Sequence, residues 1–587
     1  MAVALNPVGN TIPPYTQHAI SVSLPTWADN VAYEEGEARV VDSMQSGYPR
    51  FFIHPSIGKL ARICAQKFGT PSEDAVLFPS ARIADDCRAF LAARAVPARV
   101  VQHCIAGAAC VFAVLFPAAS FSVAKQFWQH TGLGVSSRLA EHCLAALPPA
   151  SPTHTRSASH KHYAAKPPRG LPLSASPPIA NGVARDEVEA EALDADHAVY
   201  LEERYGRNLD AGAAAGAKAV LRRRIAGVLV RDGTQHDVGV DVSVRGVAVT
   251  EGDVFLYPTG MGAIWSSHQL ALAVRGAQKS VCFGFPYTDT LKTLEKWGPG
   301  CYFLGHGLDE SINELEDILA REHAADSTRP PILALFTEFP SNPLLRSADL
   351  PRLRALADKY NFLLIVDDTI GNFVNVEVLP FADIVVTSLS KVFSGETNVM
   401  GGSLVLNPTR RHYSALKCAL LDTYEDTYFD ADAIFMERNS RDFVSRVHAI
   451  DATAERICDL LHAAAQNPTS SLDTVFYPKY QTPAHYAARR VHPTSGFGGL
   501  FSATFKTLVA AQAFFDTLRA YKGPSLGTNF TLACPYTILA HYTELEWAAA
   551  WGVSRTLVRV SVGLEPADTL LAAFADALRA ADAAPTE

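Results

Sequence analysis

From about residue 251 onward, short apolar runs alternate with amphipathic stretches. The runs at 254–257 (VFLY), 280–285 (SVCFGF), 332–336 (ILALF), 362–367 (FLLIVD), 383–388 (DIVVTS) and 403–407 (SLVLN) predict strands. Between them, 261–275, 309–321 and 350–359 carry apolar residues at helical spacing. Short Val, Ile and Leu strands alternating with such helices predict an α/β fold, a mostly parallel sheet covered on both faces. Ligands in such sheets sit at the carboxyl ends of the strands, so polar residues just past each apolar run become candidates for chemistry.

Past residue 440 the rhythm changes. A long helical region over 440–465 leads to a strand at 498–505, a helix at 508–519, a strand at 556–563 and an Ala-rich helix after Pro566. This reads as a smaller α+β domain. The longest apolar run, 105–119, contains Pro117 and falls short of the roughly 20 residues that a membrane span needs, so it reads as a buried core segment. Between 148 and 182, eight prolines are interleaved with Ser, Ala, His and basic residues, and no period survives. The acidic stretch 186–196 extends it. An insert over 148–198 is therefore expected to be a disordered linker. The resulting plan is 1–60, an N-terminal arm; 61–250, an elaboration carrying the insert; 251–443, the large domain; and 444–587, the small domain.

Composition narrows the function. Of 587 residues, 48% are hydrophobic, ample for large cores, which excludes a disordered or fibrous chain. The net charge of −9 argues against a basic nucleic-acid surface. The first residues lack a basic segment followed by an apolar one, and none of the ten cysteines forms a CxxC pair. A cytoplasmic protein is expected, with small-molecule partners, no nucleic acid, no membrane, no metal and no disulfide framework.

The chemistry gathers at strand ends. Asp367 closes one predicted strand and is followed by Asp368 and Thr369; after the next come Ser388, Leu389, Ser390 and Lys391. A lysine in this position, 24 residues past a strand-end carboxylate, suggests pyridoxal 5′-phosphate. That cofactor is held covalently through a lysine amine and needs an anion to keep its ring nitrogen protonated. Ser388 and Ser390 can donate to a phosphate. Thr259-Gly260-Met261-Gly262 lies where a loop turns into a helix, a place suited to an anion. Tyr287, past the next strand, can stack on a ring, and Arg559, in a predicted strand, can clamp a carboxylate. Taken singly, each has an ordinary explanation: a strand-end cap, a core aromatic, a surface ion pair. Their order and placement together carry the reading.

The ordered set Tyr48-Pro49-Arg50, Gly260-Met261, Tyr287, Glu338-Phe339-Pro340-Ser341-Asn342-Pro343, Val366-Asp367, Ser388-Leu389-Ser390-Lys391, Ser525-Leu526-Gly527 and Arg559-Val560-Ser561-Val562-Gly563 resembles the cystathionine γ-synthase/γ-lyase (Cys/Met metabolism) family. Its fold is that of the type I pyridoxal-phosphate transferases, aspartate aminotransferase-like. The N-terminal stretches are similar to the long fungal branch of cystathionine γ-synthases. The resemblance implies that Lys391 carries the cofactor and then moves protons. Asp367 would pair with the ring nitrogen, Tyr287 would stack on the ring, and Asn342 would meet the ring hydroxyl. Gly260, Met261, Ser388 and Ser390 would hold the phosphate. Arg559, helped by Ser525, would bind the substrate carboxylate. Tyr48 and Arg50 would reach into a neighbouring subunit's site, which implies a homodimer or homotetramer.

Three positions depart from the family pattern. Asp368 stands where Asn is usual, Ser390 where Thr is common, and Pro524 where Glu often precedes Ser-Leu-Gly. The implied reaction replaces the acyloxy group of an O-acyl-L-homoserine, acetyl first and succinyl next, by L-cysteine. The lyases, methionine γ-lyase and O-acetylhomoserine sulfhydrylase of the same family are the alternatives, with a catalytically silent scaffold more remote.

Overall fold

Three larger sheets and a two-stranded hairpin divide the described residues. The structure is a computed structural model that describes residues 6–48, 51–148, 211–230, 238–239 and 242–585. Arg50 and the proline-rich insert from 149 onward lie outside the described residues. First comes an antiparallel sheet of β1 (Glu73–Phe78), β2 (Arg99–Cys104) and β3 (Cys110–Pro117), in the order β1-β3-β2. A short hairpin comes next, β4 (Leu229–Val230) with β5 (Val238–Gly239).

The central sheet holds β6 (Val254–Tyr257), β7 (Ser280–Phe283), β8 (Cys301–Leu304), β9 (Ala334–Glu338), β10 (Leu363–Asp367), β11 (Ile384–Ser388) and β12 (Gly402–Leu406). Their spatial order is β6-β12-β11-β10-β9-β7-β8. The sheet is mixed: β12 runs antiparallel to both β11 and β6, and the other pairings are parallel. Strand alternation explains why the runs are apolar throughout. Leu364 and Val366 of β10 face one core, and Leu363 and Ile365 face the other. The short β8 is only partly buried, so it lacks the continuous apolar run that marks its neighbours.

The last sheet contains β13 (Leu472–Phe476), β14 (Leu500–Phe505), β15 (Tyr521–Lys522), β16 (Leu532–Cys534) and β17 (Val558–Ser561), ordered β13-β14-β17-β16-β15. The helices Phe443–Ala465, Leu508–Thr517 and Ala567–Asp582 pack on it through a shared core. Among the described residues, no helix is long and apolar enough to cross a membrane. The apolar run 105–119 supplies the buried strand β3. Cys104 and Cys110 form a disulfide, where the sequence led us to expect none. The β2–β3 register sets them opposite each other, with Cα atoms 3.9 Å apart, a proximity that spacing alone does not reveal.

The N-terminal sheet docks on the central domain through the helix Phe121–Thr131, which lies against the helix Gly260–Arg275. Trp297 is wedged among Phe90, Phe127 and Trp265 at centroid distances of 4.6, 5.7 and 4.7 Å. Gly132 ends the docking helix in the left-handed region at φ 62°. Its carbonyl accepts a hydrogen bond from Thr259 Oγ1 at 2.9 Å. A Cβ at Gly132 would overlap Thr259 Oγ1 and sit 2.9 Å from Met261 Cβ. Gly132→Ala is therefore expected to cost about 1–3 kcal/mol, from backbone strain and this clash. A thermal denaturation midpoint equal to wild type would contradict this packing.

Candidate active site

The carboxyl ends of β6, β7, β9, β10 and β11 open on one cavity, closed from the other side by the last sheet and the N-terminal segment. Tyr48, Gly260, Met261, Tyr287, Asn342, Asp367, Ser388, Ser390, Lys391 and Arg559 all line it. Residues that sequence reasoning did not single out as functional also line it, among them Glu338, Ile20, Phe51, Tyr536 and Leu539.

Asp367 and Glu338 are cross-strand partners at the ends of β10 and β9. Glu338 is buried, and Asp367, at the floor of the cavity, is shielded from bulk water. Burial, opposed by hydrogen bonds from Thr369, pushes Asp367 up from 3.8 to about 6. Burial and the neighbouring Asp367 push Glu338 up from 4.5 to about 8. Glu338 accepts from the backbone amides of Tyr287 at 2.5 Å and Asn342 at 2.9 Å, so one carboxyl fixes two loops. Its strand-end position was the available signal, the same one that picked out Asp367.

Lys391 follows β11 and is nearly buried. Its Nζ donates to the hydroxyl of Tyr48 at 3.0 Å and lies 4.7 Å from the centre of that ring. Within the single chain, Tyr48 lies at the mouth of the cavity beside this lysine. The preceding segment is hydrogen-bonded to both the large and the C-terminal domains of the chain. The Ile20 amide donates to Thr397 O at 2.8 Å, and the Leu24 amide to Lys522 O at 3.0 Å. Arg50 lies outside the described residues.

The anion seat is built locally. Thr259, extended at φ −148° and ψ 160°, caps the helix Gly260–Arg275 by accepting from the Gly262 amide at 3.0 Å. The first amides of that helix have no intrahelical acceptor and face an anion position. Gly260 is required there, since a Cβ would come within 2.6 Å of Ser388 Cβ. Ser390 Oγ accepts from the Gly401 amide at 3.0 Å and donates to its carbonyl at 3.3 Å.

Arg559 projects from β17 and is buried. Its Nη1 donates to Asn342 Oδ1 at 3.2 Å, and its Nη2 to the carbonyls of Pro524 at 2.8 Å and Ser525 at 3.3 Å. Ser525 thus meets Arg559 through its carbonyl. Its hydroxyl donates to Ile20 O at 2.9 Å. Tyr287 occupies the N-cap position of the helix Thr288–Lys296 at the cavity rim.

Asp368, the departure from the family pattern, points away from the cavity. It accepts from Thr387 Oγ1 at 2.5 Å and pairs with Arg245 at 3.4 Å. Arg245 is 1% exposed; it also bonds Glu377 at 2.8 Å and the Ile225 carbonyl at 2.8 Å. A buried carboxylate in place of an amide is tolerated because this arginine accompanies it.

The residues fit pyridoxal phosphate: a glycine-led helix start where a Cβ would intrude, a buried carboxyl awaiting a cation, and a lysine at the next strand end. Such a site defines a pyridoxal-phosphate enzyme. The chain belongs to the family described as Cys/Met metabolism PLP-dependent enzyme, whose model matches residues 247–579. Residues 56–136 match the model of the fungal trans-sulfuration enzyme N-terminal domain. The chain is 50% identical to the cystathionine gamma-synthase-like enzyme iboG2 of Amanita muscaria, over 99% of this chain and 98% of that one. It is 44% identical to the cystathionine gamma-synthase of Neurospora crassa, over 98% of each. It is also 34% identical to the alanine racemase ungC of Aspergillus violaceofuscus, over 97% of this chain and 96% of that one. It is a cystathionine γ-synthase-like, transferase-type enzyme.

The raised carboxyls make a stability prediction. Asp367 and Glu338 bind their protons more tightly in the folded than in the unfolded state. Between about pH 4 and pH 8 the folded protein therefore holds the extra protons, and their contribution to stability is lost as pH rises through that window. The melting temperature of the cofactor-free protein should fall from about pH 5 to about pH 8, and Glu338→Gln should remove most of that slope. Parallel curves for the two proteins would show that Glu338 is ionised throughout.

Proposed function

We propose that this enzyme is a cystathionine γ-synthase. It replaces the γ-acyloxy group of an O-acyl-L-homoserine, acetyl before succinyl, with the thiol of L-cysteine, giving L-cystathionine. The Cγ–O bond breaks and a Cγ–S bond forms, and the acyl group leaves as the free carboxylic acid with the thiol proton. The observation that carries this reading is the meeting, in one cavity, of Lys391, Asp367, Arg559 and the Gly260 helix start. The 44% identity to a cystathionine gamma-synthase over nearly the whole chain supports it.

Pyridoxal phosphate, when bound, supplies the electron sink for proton removal next to the amino group. The residues proposed to hold it are Lys391 covalently, Asp367 at the ring nitrogen, Tyr287 against the ring and Asn342 at the ring hydroxyl. Gly260, Met261, Ser388 and Ser390 would hold the phosphate. Arg559 binds the substrate carboxylate, with its fork pre-aimed by Asn342 and two carbonyls, so little side-chain freedom is lost on binding. Lys391 Nζ takes the α-proton and returns it, while Tyr48, in hydrogen-bond contact with that amine, holds it in place. Ile20, Phe51 and Leu539 form an apolar wall that keeps water from competing with the thiol.

The deciding experiment is a product assay of the purified enzyme with each O-acylhomoserine and L-cysteine, sulfide or no thiol. Cystathionine from the cysteine reaction is expected. A 2-oxo acid formed equally well without thiol would make it a lyase, and racemisation of L-alanine offered in a separate assay would place it with its Aspergillus relative.

Arg559→Ala should lose about 2–5 kcal/mol of substrate binding and so raise KM at least about 30-fold, with the absorbance of the bound cofactor unchanged. An unchanged KM would assign Arg559 to structure alone. Lys391→Ala should abolish the borohydride-trapped cofactor adduct as well as turnover. An adduct retained on another lysine would refute the assignment.

A further inference from the structure

A second set of charges lies directly behind Asp367, on the side away from the cavity. Asp368 is fully buried there, accepts from Thr387 Oγ1 at 2.5 Å and pairs with Arg245 Nη2 at 3.4 Å. Arg245 is fixed by groups from several elements. Its Nε donates to Glu377 at 2.8 Å and its Nη1 to the Ile225 carbonyl, at the end of the helix Ala211–Ile225, at 2.8 Å. Its guanidinium lies 4.5 Å from the centre of the Phe373 ring. The turn that delivers it is held as well: Ser243 Oγ accepts from the Arg245 amide at 3.1 Å and donates to Ala226 O at 2.5 Å.

This cluster is coupled to the cofactor side through three consecutive residues. The Thr369 amide donates to Asp367 at 2.9 Å, and the Ser388 amide donates to Thr369 Oγ1 at 2.8 Å. Residues 367–369 therefore join the carboxyl under the cavity to the strand end that carries Ser388. The electrostatics follow the same line. One guanidinium faces two carboxyls, Asp368 and Glu377; burial raises both, and Arg245 draws both back. The charge on Asp368 in turn raises Asp367. An unmatched charge on Asp368 stands nearer to Asp367 than to any group across the cavity from it. It disfavours a negative Asp367 more than it favours a positive partner, so a proton shared between the two would settle on the carboxyl.

We propose that Arg245 is a positioning residue for the cofactor: by neutralising Asp368 it leaves Asp367 to carry the negative charge that meets the ring nitrogen. Arg245 touches neither cofactor nor substrate and acts through Asp368. The amide usual in the family at position 368 carries no charge and needs no such partner. The requirement for Arg245 is therefore conditional on Asp368, and removing the carboxylate should remove it. The proposal rests on the pairing of Asp367 with pyridoxal phosphate put forward above.

Nitrogen-15 magnetic resonance of holoenzyme loaded with ring-labelled pyridoxal phosphate locates the proton without turnover. The proteins compared are wild type, Arg245→Met, Asp368→Asn and the double variant. Wild type, Asp368→Asn and the double variant should give a pyridinium signal, and Arg245→Met alone should move toward neutral pyridine. The cofactor-free proteins give a second readout. Arg245→Met should melt below wild type, because it strands a buried carboxylate, and adding Asp368→Asn should restore most of the loss. If Arg245→Met alone does not fold, the double variant decides. A folded double variant with a pyridinium signal supports the proposal; one that fails to fold, or that shows a neutral ring, overturns it. A full pyridinium signal in Arg245→Met would also overturn it, while leaving the pairing of Asp367 intact. A neutral ring already in the wild type would overturn that pairing and this proposal together.

Discussion

The placement of one carboxyl governs this site. Asp367 ends a strand buried on both faces, beside a second buried carboxyl, Glu338, and burial holds both toward the protonated form. A carboxyl so placed favours a cation over water as its partner, because the cation repays a desolvation that hydrogen bonds from Thr369 offset only in part. On the proposed reading, the ring nitrogen of the cofactor is that cation. The sheet therefore does more than position the residue, since its low-dielectric interior makes proton sharing with the ring favourable. The same burial demands that Asp368 be matched on the opposite face, and Arg245 does so from a segment that precedes the central domain.

The N-terminal domain supports the seat from the other side. The Gly132 carbonyl holds the Thr259 hydroxyl, and Thr259 in turn caps the helix whose first turn faces the anion position. A contact made by residue 132 thus bears on the start of the helix at residue 260, although the two are separated by the proline-rich insert. The N-terminal segment acts on the same cavity more directly, through Ile20, Tyr48 and Phe51.

Much of the central sheet was legible because β6, β7, β9, β10, β11 and β12 are apolar on both faces, so that each appears as a short continuous run. Asp367 was legible as the carboxylate that closes such a run, and Lys391 as the lysine three residues past the next one. The half-exposed β8 gave no such signal. Antiparallel β12 was equally apolar, and apolarity does not encode strand direction. Glu338 occupies the same kind of strand end as Asp367, but its importance comes from a neighbour 29 positions away that only the β9–β10 register supplies. The turn of Ser525 toward Ile20, the pairing of Arg245 with Asp368 and the Cys104–Cys110 disulfide depend on long-range or register contacts with no local pattern. Tyr48 was found by motif, whereas the seam that residues 6–47 make is encoded by no motif.

The central claim, that Asp367 keeps the cofactor's ring nitrogen protonated, can be read directly by nitrogen-15 magnetic resonance of holoenzyme loaded with ring-labelled pyridoxal phosphate. Near neutral pH the wild-type signal should fall in the pyridinium range, and in Asp367→Asn it should move to that of neutral pyridine. A neutral ring nitrogen in the wild type, or a pyridinium that survives the substitution, would contradict the role given to Asp367.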